Sequence, residues 1–248
     1  MSKWRILPLQ SNNAYMNMAI DEAIADSVRM AKSLPTIRFY TWSPSAVSIG
    51  CFQSIGEEVN IDKCKELGID FVRRRTGGGA VYHDSAGEVT YSIIGKQELF
   101  PVGILDSYKY ICKSIIDGLY EIGITSEFSP INDITVEGKK ISGNAQTRRD
   151  GVLLQHGTIL YDLNIGRMFD LLKVSKEKIS DKAIKNVEDR VTMVRKYSSI
   201  SLEGLYQALR VGFCNNRDFI DGTLSAEELK RATELAPNFR SNSWNFSK

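Results

Sequence analysis

Several features are missing from this sequence, and each absence removes a class of protein. No segment approaches the ~18 apolar residues that a membrane-spanning helix needs. The amino terminus, MSKWRILPLQ, shows neither a long apolar run nor a small-residue cleavage pattern, so neither an anchor nor a secretory leader is expected. No sign of charge dominates: 32 basic against 30 acidic residues leave +2, which disfavours a general binder of nucleic acid or membrane surfaces and makes any basic site a local one. The four cysteines, Cys51, Cys64, Cys112 and Cys214, form no CxxC pair. That spacing speaks against a zinc site or a disulfide framework and fits a reducing cytoplasm. With only two histidines, His83 and His156, and no cysteine beside either, no metal site is expected. The phosphate-loop spacing GxxxxGK[ST] is absent, as are repeats and low-complexity tracts.

What is present is enough for a full core: 248 residues, 42% of them hydrophobic. Met16, Ala19, Ile20, Ala23, Ile24 and Val28 recur at helical spacing behind Asn12 or Asn13 as a cap. The period then changes. TIRFYTW, SAVSIGCF, DFVRRR, GAVYH and EVTYSII are short, rich in β-branched and aromatic residues, and expected to form most of one sheet. A helix is expected from Ile104 to Tyr120 with Gly123 beyond its end. DITVEG, KKISGNAQ and VLLQHGTILYDL follow as hairpins turned at Glu137-Gly138 and Asp150-Gly151. The last third reads as helical, near Arg167 to Leu172, Leu202 to Phe213 and Ser225 to Leu235. Its charged stretch KVSKEKISDKAIKNVEDRVTMVRK reads as a solvated helix plus loop. Because strands come first and helices later, without regular βαβ alternation, the fold class is α+β.

Two glycine-bearing stretches carry the chemistry. In RRRTGGGAVYHD, Gly77, Gly78 and Gly79 by themselves need be no more than a tight strand connection. The flanking arginines add to that. Strand alternation sends Arg74 to the face opposite Arg73 and Arg75, so one arginine faces the ligand side or the core and two face away. An arginine over a turn of free glycine amides suits an anion. In EGKKISGNAQ, alternation separates Lys139 from Lys140 and places Lys140 on one face with Ser142 and Asn144. His156 shares a strand face with Leu154 and Thr158 and reads as structural, and His83 has Asp84 beside it as a partner. Neither is given a catalytic role.

Taken in order, RRRTGGGAVYHD, NDITVEGKKISGNAQ and HGTILYDL resemble the lipoate-protein ligases of the biotin/lipoate ligase family. The likeness extends to RFYTWSPSAVSIGCFQ upstream and SWNF at the end, and so over essentially the whole chain. The resemblance implies a mixed, largely antiparallel sheet flanked by helices, of the class II aminoacyl-synthetase type, as a single catalytic domain over residues 1–248 without the carboxy-terminal accessory domain of better-known members. It implies a cytoplasmic enzyme that uses ATP and Mg2+ to convert lipoate to lipoyl-AMP. The lipoyl group then passes to a lysine of a carrier, such as the lipoyl domains of 2-oxoacid dehydrogenase E2 subunits and the glycine cleavage H protein. A small accessory subunit is the implied stand-in for the absent domain.

By motif position, Arg74, Gly79, Ala80, Val81 and Tyr82 match nucleotide-binding residues. Lys140 matches the lysine that touches both lipoate and nucleotide, and Asn132 and Asp133 fall on the family's Asn-Asp pair. The Gly77, Gly78 and Gly79 amides would hold the ligand's polar end, Lys140 would neutralise charge growing at phosphorus, and Asp133 is the candidate base for the acceptor lysine. The alternative within the same fold is an octanoyl or lipoyl transferase acting between carriers through a cysteine thioester without ATP. Among the four thiols only Cys51 suits that role. A catalytically silent lipoyl-domain binding module is the reading from another class, and a biotin ligase fits less well because its arginine-glycine loop is arranged differently.

Overall fold

The computed structural model describes residues 3–173, 189–215 and 217–248. Most of the charged stretch read above as helix plus loop lies outside them. Among the described residues the chain forms a nine-stranded sheet, a separate three-stranded sheet and helices on both faces of the larger one. The α+β expectation is met. The strands are β1 (Trp4–Ile6), β2 (Gln10–Asn12), β3 (Thr36–Trp42), β4 (Ala46–Ile49), β5 (Asp70–Arg73), β6 (Val81–His83), β7 (Glu88–Lys96), β8 (Glu127–Ser129), β9 (Asp133–Val136), β10 (Lys139–Arg149), β11 (Val152–Leu160) and β12 (Phe219–Asp221). The large sheet runs β12-β1-β3-β7-β11-β10-β9-β8, with β2 beside β3. Its long central pairs, β3 with β7, β7 with β11 and β11 with β10, are all antiparallel.

Local chemistry explains the elements. Helix α1 (Ala14–Arg29) starts where the Asn13 side chain accepts a hydrogen bond from the Met16 amide. Asn13, not Asn12, is the cap. The two hairpin turns have positive φ at both central residues, 51° and 74° at Glu137-Gly138 and 50° and 77° at Asp150-Gly151, as a two-residue hairpin requires. Strand β3 is buried throughout. Its odd residues Ile37 and Phe39 enter one core with Tyr91, Ile111 and Phe213, whereas Tyr40 and Trp42 enter a second with Ile20, Ile24 and Phe239.

Helix α4 (Ile104–Tyr120) and helix α6 (Leu202–Cys214) cover the first face, and α1 and helix α7 (Ala226–Arg240) cover the second. The short helices α2 (Ile55–Glu58), α3 (Ile61–Glu66), α5 (Ile165–Leu171) and α8 (Asn242–Asn245) complete the described set. The expectation that five stretches build one sheet needs correcting. TIRFYTW and EVTYSII enter the large sheet, but β4, β5 and β6 pair with one another as the order β5-β4-β6. Strand propensity reports a fit to a pleated surface, not the identity of the neighbour, and α2 and α3 carry the chain from β4 to a parallel β5. This small sheet has its own core, Val47, Ile49, Leu163 and Phe169 among them, and the glycine loop stands between its strands β5 and β6.

Candidate active site

A cavity of about 300 Å³ opens between the two sheets, within the size range of small-ligand sites. Met18, Trp42, Leu160, Leu163, Met168, Leu172 and Val191 give it apolar walls. Of the residues singled out from sequence, Arg74, Gly78, Gly79, Ala80, Val81, Tyr82, Asn132 and Lys140 all line it. Gly77 and Asp133 act one step behind. The Gly77 carbonyl accepts from Arg74, and Asp133 pairs with Lys140.

The three arginines are not disposed as alternation alone suggests. Arg73 is fully buried, and its guanidinium donates to the carbonyls of Gly50, Cys51, Gln53, Trp244 and Asn245. It thus fastens the loop after β4 to the SWNF segment, and those carbonyls supply the solvation that bulk water would otherwise give. Arg75 stacks on Trp244 and meets Glu22 at 3.1 Å.

Arg74 is buried too. It donates from Nε to Thr76 Oγ1 at 3.2 Å, from Nη1 to Ser48 Oγ at 3.2 Å, and from Nη2 to the carbonyls of Gly77 and Gly79 at 2.7 and 2.8 Å. All these partners are oxygens without formal charge. Burial brings the guanidinium down to about 10, still protonated at neutral pH. The loop's carbonyls are therefore turned toward Arg74. Only one of the three glycines has a conformational reason to be glycine: Gly78 sits at φ +94°, where an added Cβ would stand 2.8 Å from Arg74 Nη2. A Cβ on Gly79 meets nothing within 4 Å, and on Gly77 only the Phe52 ring at 3.8 Å.

Lys140 also departs from simple alternation. The β9–β10 register shifts between Lys140 and Ser142. Such an irregularity moves a side chain to the other face of a strand, so Lys140 lies over Gly143 instead of sharing a face with Ser142 and Asn144. A Cβ on Gly143 would come within 2.7 Å of Lys140 Cε and Nζ, so the missing side chain is the space the ammonium uses. Asp133, opposite Gly143 in the ladder, meets Lys140 Nζ at 2.7 Å. Both side chains stay substantially exposed, 42% for Lys140 and 32% for Asp133. Asn132 locks the same corner: its side chain donates to the Asn144 carbonyl, and its own carbonyl accepts from Asn144 Nδ2 at 2.9 Å. Asn144 Oδ1 in turn accepts from the Tyr91 hydroxyl at 2.7 Å, passing over the bare Cα of Gly157.

The two histidines are each held in a hydroxyl–imidazole–carboxylate chain. His156 Nε2 is 2.7 Å from Thr76 Oγ1 and its Nδ1 is 3.7 Å from Asp21. Burial lowers His156, although Asp21 pulls the other way. Burial would raise Asp21, but the His156 hydrogen bond and the Arg38 charge outweigh it and hold the carboxyl below its usual range. His83 is held by Glu88 at 2.7 Å and by Ser48 at 2.8 Å, whereas the sequence offered Asp84 as its partner. Glu88 lies five residues further on, at the start of the neighbouring strand β7, a partner that no local pattern points to. Ser48 was likewise missed. A lone hydroxyl among the apolar residues of β4 was its only signal.

No thiol lines the cavity. Cys64 and Cys112 are fully buried, which pushes them up to about 11 and about 12, and burial also raises Cys214. Cys51 lies in the wall of a second cavity with Glu22, Arg75 and Trp244. Among the described residues no three His, Cys, Asp or Glu side chains converge, so magnesium is assigned no residue here. No described helix is long and apolar enough to cross a membrane.

An apolar slot with one half-exposed ammonium at its wall suits an enzyme that handles the activated end of an acyl chain. The chain belongs to the lipoyl protein ligase A/B catalytic domain family, whose model matches residues 13–214. It is 35% identical to the octanoyltransferase LipM of Staphylococcus epidermidis, over 99% of both chains, and 34% identical to that of Clostridioides difficile, also over 99% of both. In three dimensions it is similar to the bipartite lipoate protein ligase of Thermoplasma acidophilum, solved in a study with its E2 lipoyl domain (TM-score 0.90, 31% identity, 99% of this chain and 97% of that one). It also matches a lipoate-protein ligase A bound with ATP (TM-score 0.84, 29% identity, 99% of both chains). These findings bear out the family and fold. They correct the expected reaction: full-length relatives at 31–35% identity are named octanoyltransferases, so the ATP-dependent lipoate ligase reading gives way to acyl transfer.

Proposed function

We propose that this protein moves a medium-chain acyl group, octanoyl in the first instance, from a thioester on one carrier protein to a lysine of another. The observation that carries the reading is the full-length identity to octanoyltransferases. The cavity supports it. Its apolar walls suit an alkyl chain, whose burial contributes about 0.8 kcal/mol per CH₂, and Lys140 is a half-exposed cation in the same lining, available to an acyl carbonyl at the mouth. A thioester is already activated, so the chemistry required is stabilisation of the oxyanion that forms as the carbonyl is attacked. The Lys140 ammonium supplies a fixed charge for that purpose, held in place by Asp133. The Gly78 and Gly79 amides, which line the cavity, donate to no backbone carbonyl of the described residues and can serve the same oxygen. Lipoyl-type carrier domains are the expected acceptors.

The test mixes the protein with an octanoylated carrier and an unmodified lipoyl domain and follows octanoyl-lysine by mass spectrometry, beside a parallel mixture of free octanoate, ATP and Mg2+. Octanoyl-lysine formed from the thioester without nucleotide is the expected result. Product only from the free acid with ATP would overturn the proposal.

A further inference from the structure

Arg74 holds two hydroxyls, Thr76 Oγ1 through Nε and Ser48 Oγ through Nη1, each at 3.2 Å. Behind each hydroxyl stands an imidazole, and behind each imidazole a buried carboxyl group: Thr76–His156–Asp21 on one side, Ser48–His83–Glu88 on the other. We propose that these two chains are one positioning device, which aims the Arg74 guanidinium and through it turns the carbonyls of Gly77 and Gly79 inward, so that the Gly78 and Gly79 amides are left to the acyl oxygen. The inference rests on the acyl-transfer reading above and deepens it by naming the residues that set the loop.

Hydrogen-bond direction carries it. A guanidinium can only donate, so both hydroxyls accept from Arg74 and each keeps one proton to place. The acceptor that each meets among the described residues is a ring nitrogen, His156 Nε2 at 2.7 Å for Thr76 and His83 Nε2 at 2.8 Å for Ser48. Those two nitrogens are therefore bare lone pairs, and both rings carry their proton on Nδ1. The far ends demand the same. Asp21 Oδ2 faces His156 Nδ1 at 3.7 Å, while Asp21 Oδ1 accepts from Arg38 and from Ser92 Oγ, each at 2.8 Å. Trp42 Nε1 donates to Thr90 Oγ1 at 2.8 Å, so the Thr90 proton turns to Glu88 Oε1 at 2.9 Å, and that oxygen is an acceptor for His83 Nδ1 at 2.7 Å.

Both chains thus run outward from Arg74 without a reversal, the arrangement in which successive hydrogen bonds polarise one another. They also tie the guanidinium to different parts of the fold. One leads from Thr76 to His156 on β11 of the large sheet and ends on α1. The other crosses the small sheet from Ser48 on β4 to His83 on β6 and ends at the start of β7. Trp42 stacks on the His83 ring at 3.9 Å and 16°, which fixes the plane of that imidazole. With Nε and Nη1 held in this way, Nη2 is directed at the Gly77 and Gly79 carbonyls at 2.7 and 2.8 Å. Ser48, His83 and His156 also line the cavity, whereas Thr76 is fully buried and does not, so Thr76 separates an effect through Arg74 from direct contact with substrate.

The chain has two histidines, so imidazole-nitrogen NMR on the full-length protein labelled with 15N-histidine resolves each ring. At neutral pH both rings are expected to carry a proton on Nδ1 and none on Nε2. Thr76→Val removes the hydroxyl at nearly constant size. It should move the His156 Nε2 resonance and, through Arg74, that of His83 as well. In octanoyl transfer from a carrier to a lipoyl domain, Thr76→Val should lower kcat by on the order of 10²-fold, the loss expected from slight misplacement of a reacting geometry, with KM within about threefold of the parent. Thr76→Ser restores the hydroxyl and should restore both the resonances and kcat. A proton on Nε2 of either ring in the unaltered protein, a His83 resonance unmoved by Thr76→Val, or a kcat for that variant within about threefold of the parent would overturn the inference and leave the acyl-transfer reading standing. Failure of the unaltered protein to use the thioester at all would remove both.

Discussion

Arg74 and Lys140 both line the cavity, and glycine makes room for each, yet they are opposite kinds of cation. Arg74 is buried, with its donors fixed on two hydroxyls and two loop carbonyls. Lys140 is half exposed, with Asp133 as its ion-pair partner and Gly143 stripped of a side chain beneath it. The difference separates architecture from chemistry at the site. A planar fork holds several acceptors in one geometry, which is how a loop is kept in shape, whereas a compact ammonium on a flexible stem can follow a charge that appears and disappears. From RRRTGGG alone Arg74 looked like the ligand's anchor. In the fold it anchors the loop, fastening the Gly77 and Gly79 carbonyls to Thr76 and to Ser48 of β4.

The largest effect that sharpens this contrast is expected at Lys140. Lys140→Ala should lower turnover by on the order of 10²–10³-fold, the loss typical of removing one oxyanion-stabilising group, with kcat falling more than KM rises. Its melting temperature should stay near the parent value, because exposed ion pairs contribute ~0–1 kcal/mol. A marked drop in stability with little change in kcat would place Lys140 in the architecture instead. Arg74→Lys should behave in the reverse sense. A lysine cannot reproduce the fork, so buried oxygens lose partners at about 1–3 kcal/mol each before any rearrangement, and chemical denaturation should show a lower midpoint. An Arg74→Lys protein as stable as the parent would break the comparison.

Gly78→Ala comes next. The substitution places a methyl group on Arg74 at a backbone angle of +94°, and strain of this kind costs about 1–3 kcal/mol. Acyl binding should weaken with it because the loop shifts, not because a side chain fills the slot. Unchanged stability, read by urea unfolding, would show that the loop accommodates the change.

What the sequence made legible was what local chemistry determines. Helix α1 with its asparagine cap, the end of α4 ahead of Gly123, and the two hairpins with their Glu-Gly and Asp-Gly turns follow from period and turn residues a few positions apart. Motif resemblance also located most of the cavity wall, from Arg74 to Lys140. Three things were hidden because they depend on remote partners. Arg73 reads as a solvated strand arginine until Trp244 and Asn245, some 170 positions later, supply the carbonyls that bury it. The face taken by Lys140 turns on one register shift, which reverses the parity of every count made along the strand. The relay through Ser48, His83 and Glu88 needs β6 paired on β4 and the chain crossing into the other sheet. The same local likeness also pointed to the wrong reaction, since ligase and transferase relatives share the fold and its motifs.

The second histidine gives a pH handle on the architecture. Burial lowers His156, so it is neutral in the fold and protonates more readily when unfolded. A group depressed in this way makes the unfolded state bind the extra proton. Stability therefore holds above the unfolded value of about 6.5 and declines as pH falls below it, by at most about 1.4 kcal/mol per pH unit. Unfolding free energies at about pH 7.5 and 5.5 should differ in that direction, and His156→Gln should flatten this part of the slope. An equal slope in the variant would assign the effect to other groups.

The smallest effect expected is at Gly79, and it tests the division most finely. Gly78 and Gly79 are adjacent and both line the cavity, but a Cβ on Gly79 meets nothing within 4 Å and its φ lies outside the left-handed region. Gly79→Ala should leave stability within about 0.5 kcal/mol of the parent, or raise it slightly by restricting the unfolded chain. The added methyl group points into open space, so any cost must come from a bound molecule. If stability is unchanged while KM for the acyl donor rises, the empty space beside Gly79 is space the substrate occupies. If neither moves, substrate keeps clear of the loop and the working part of the cavity lies toward Lys140.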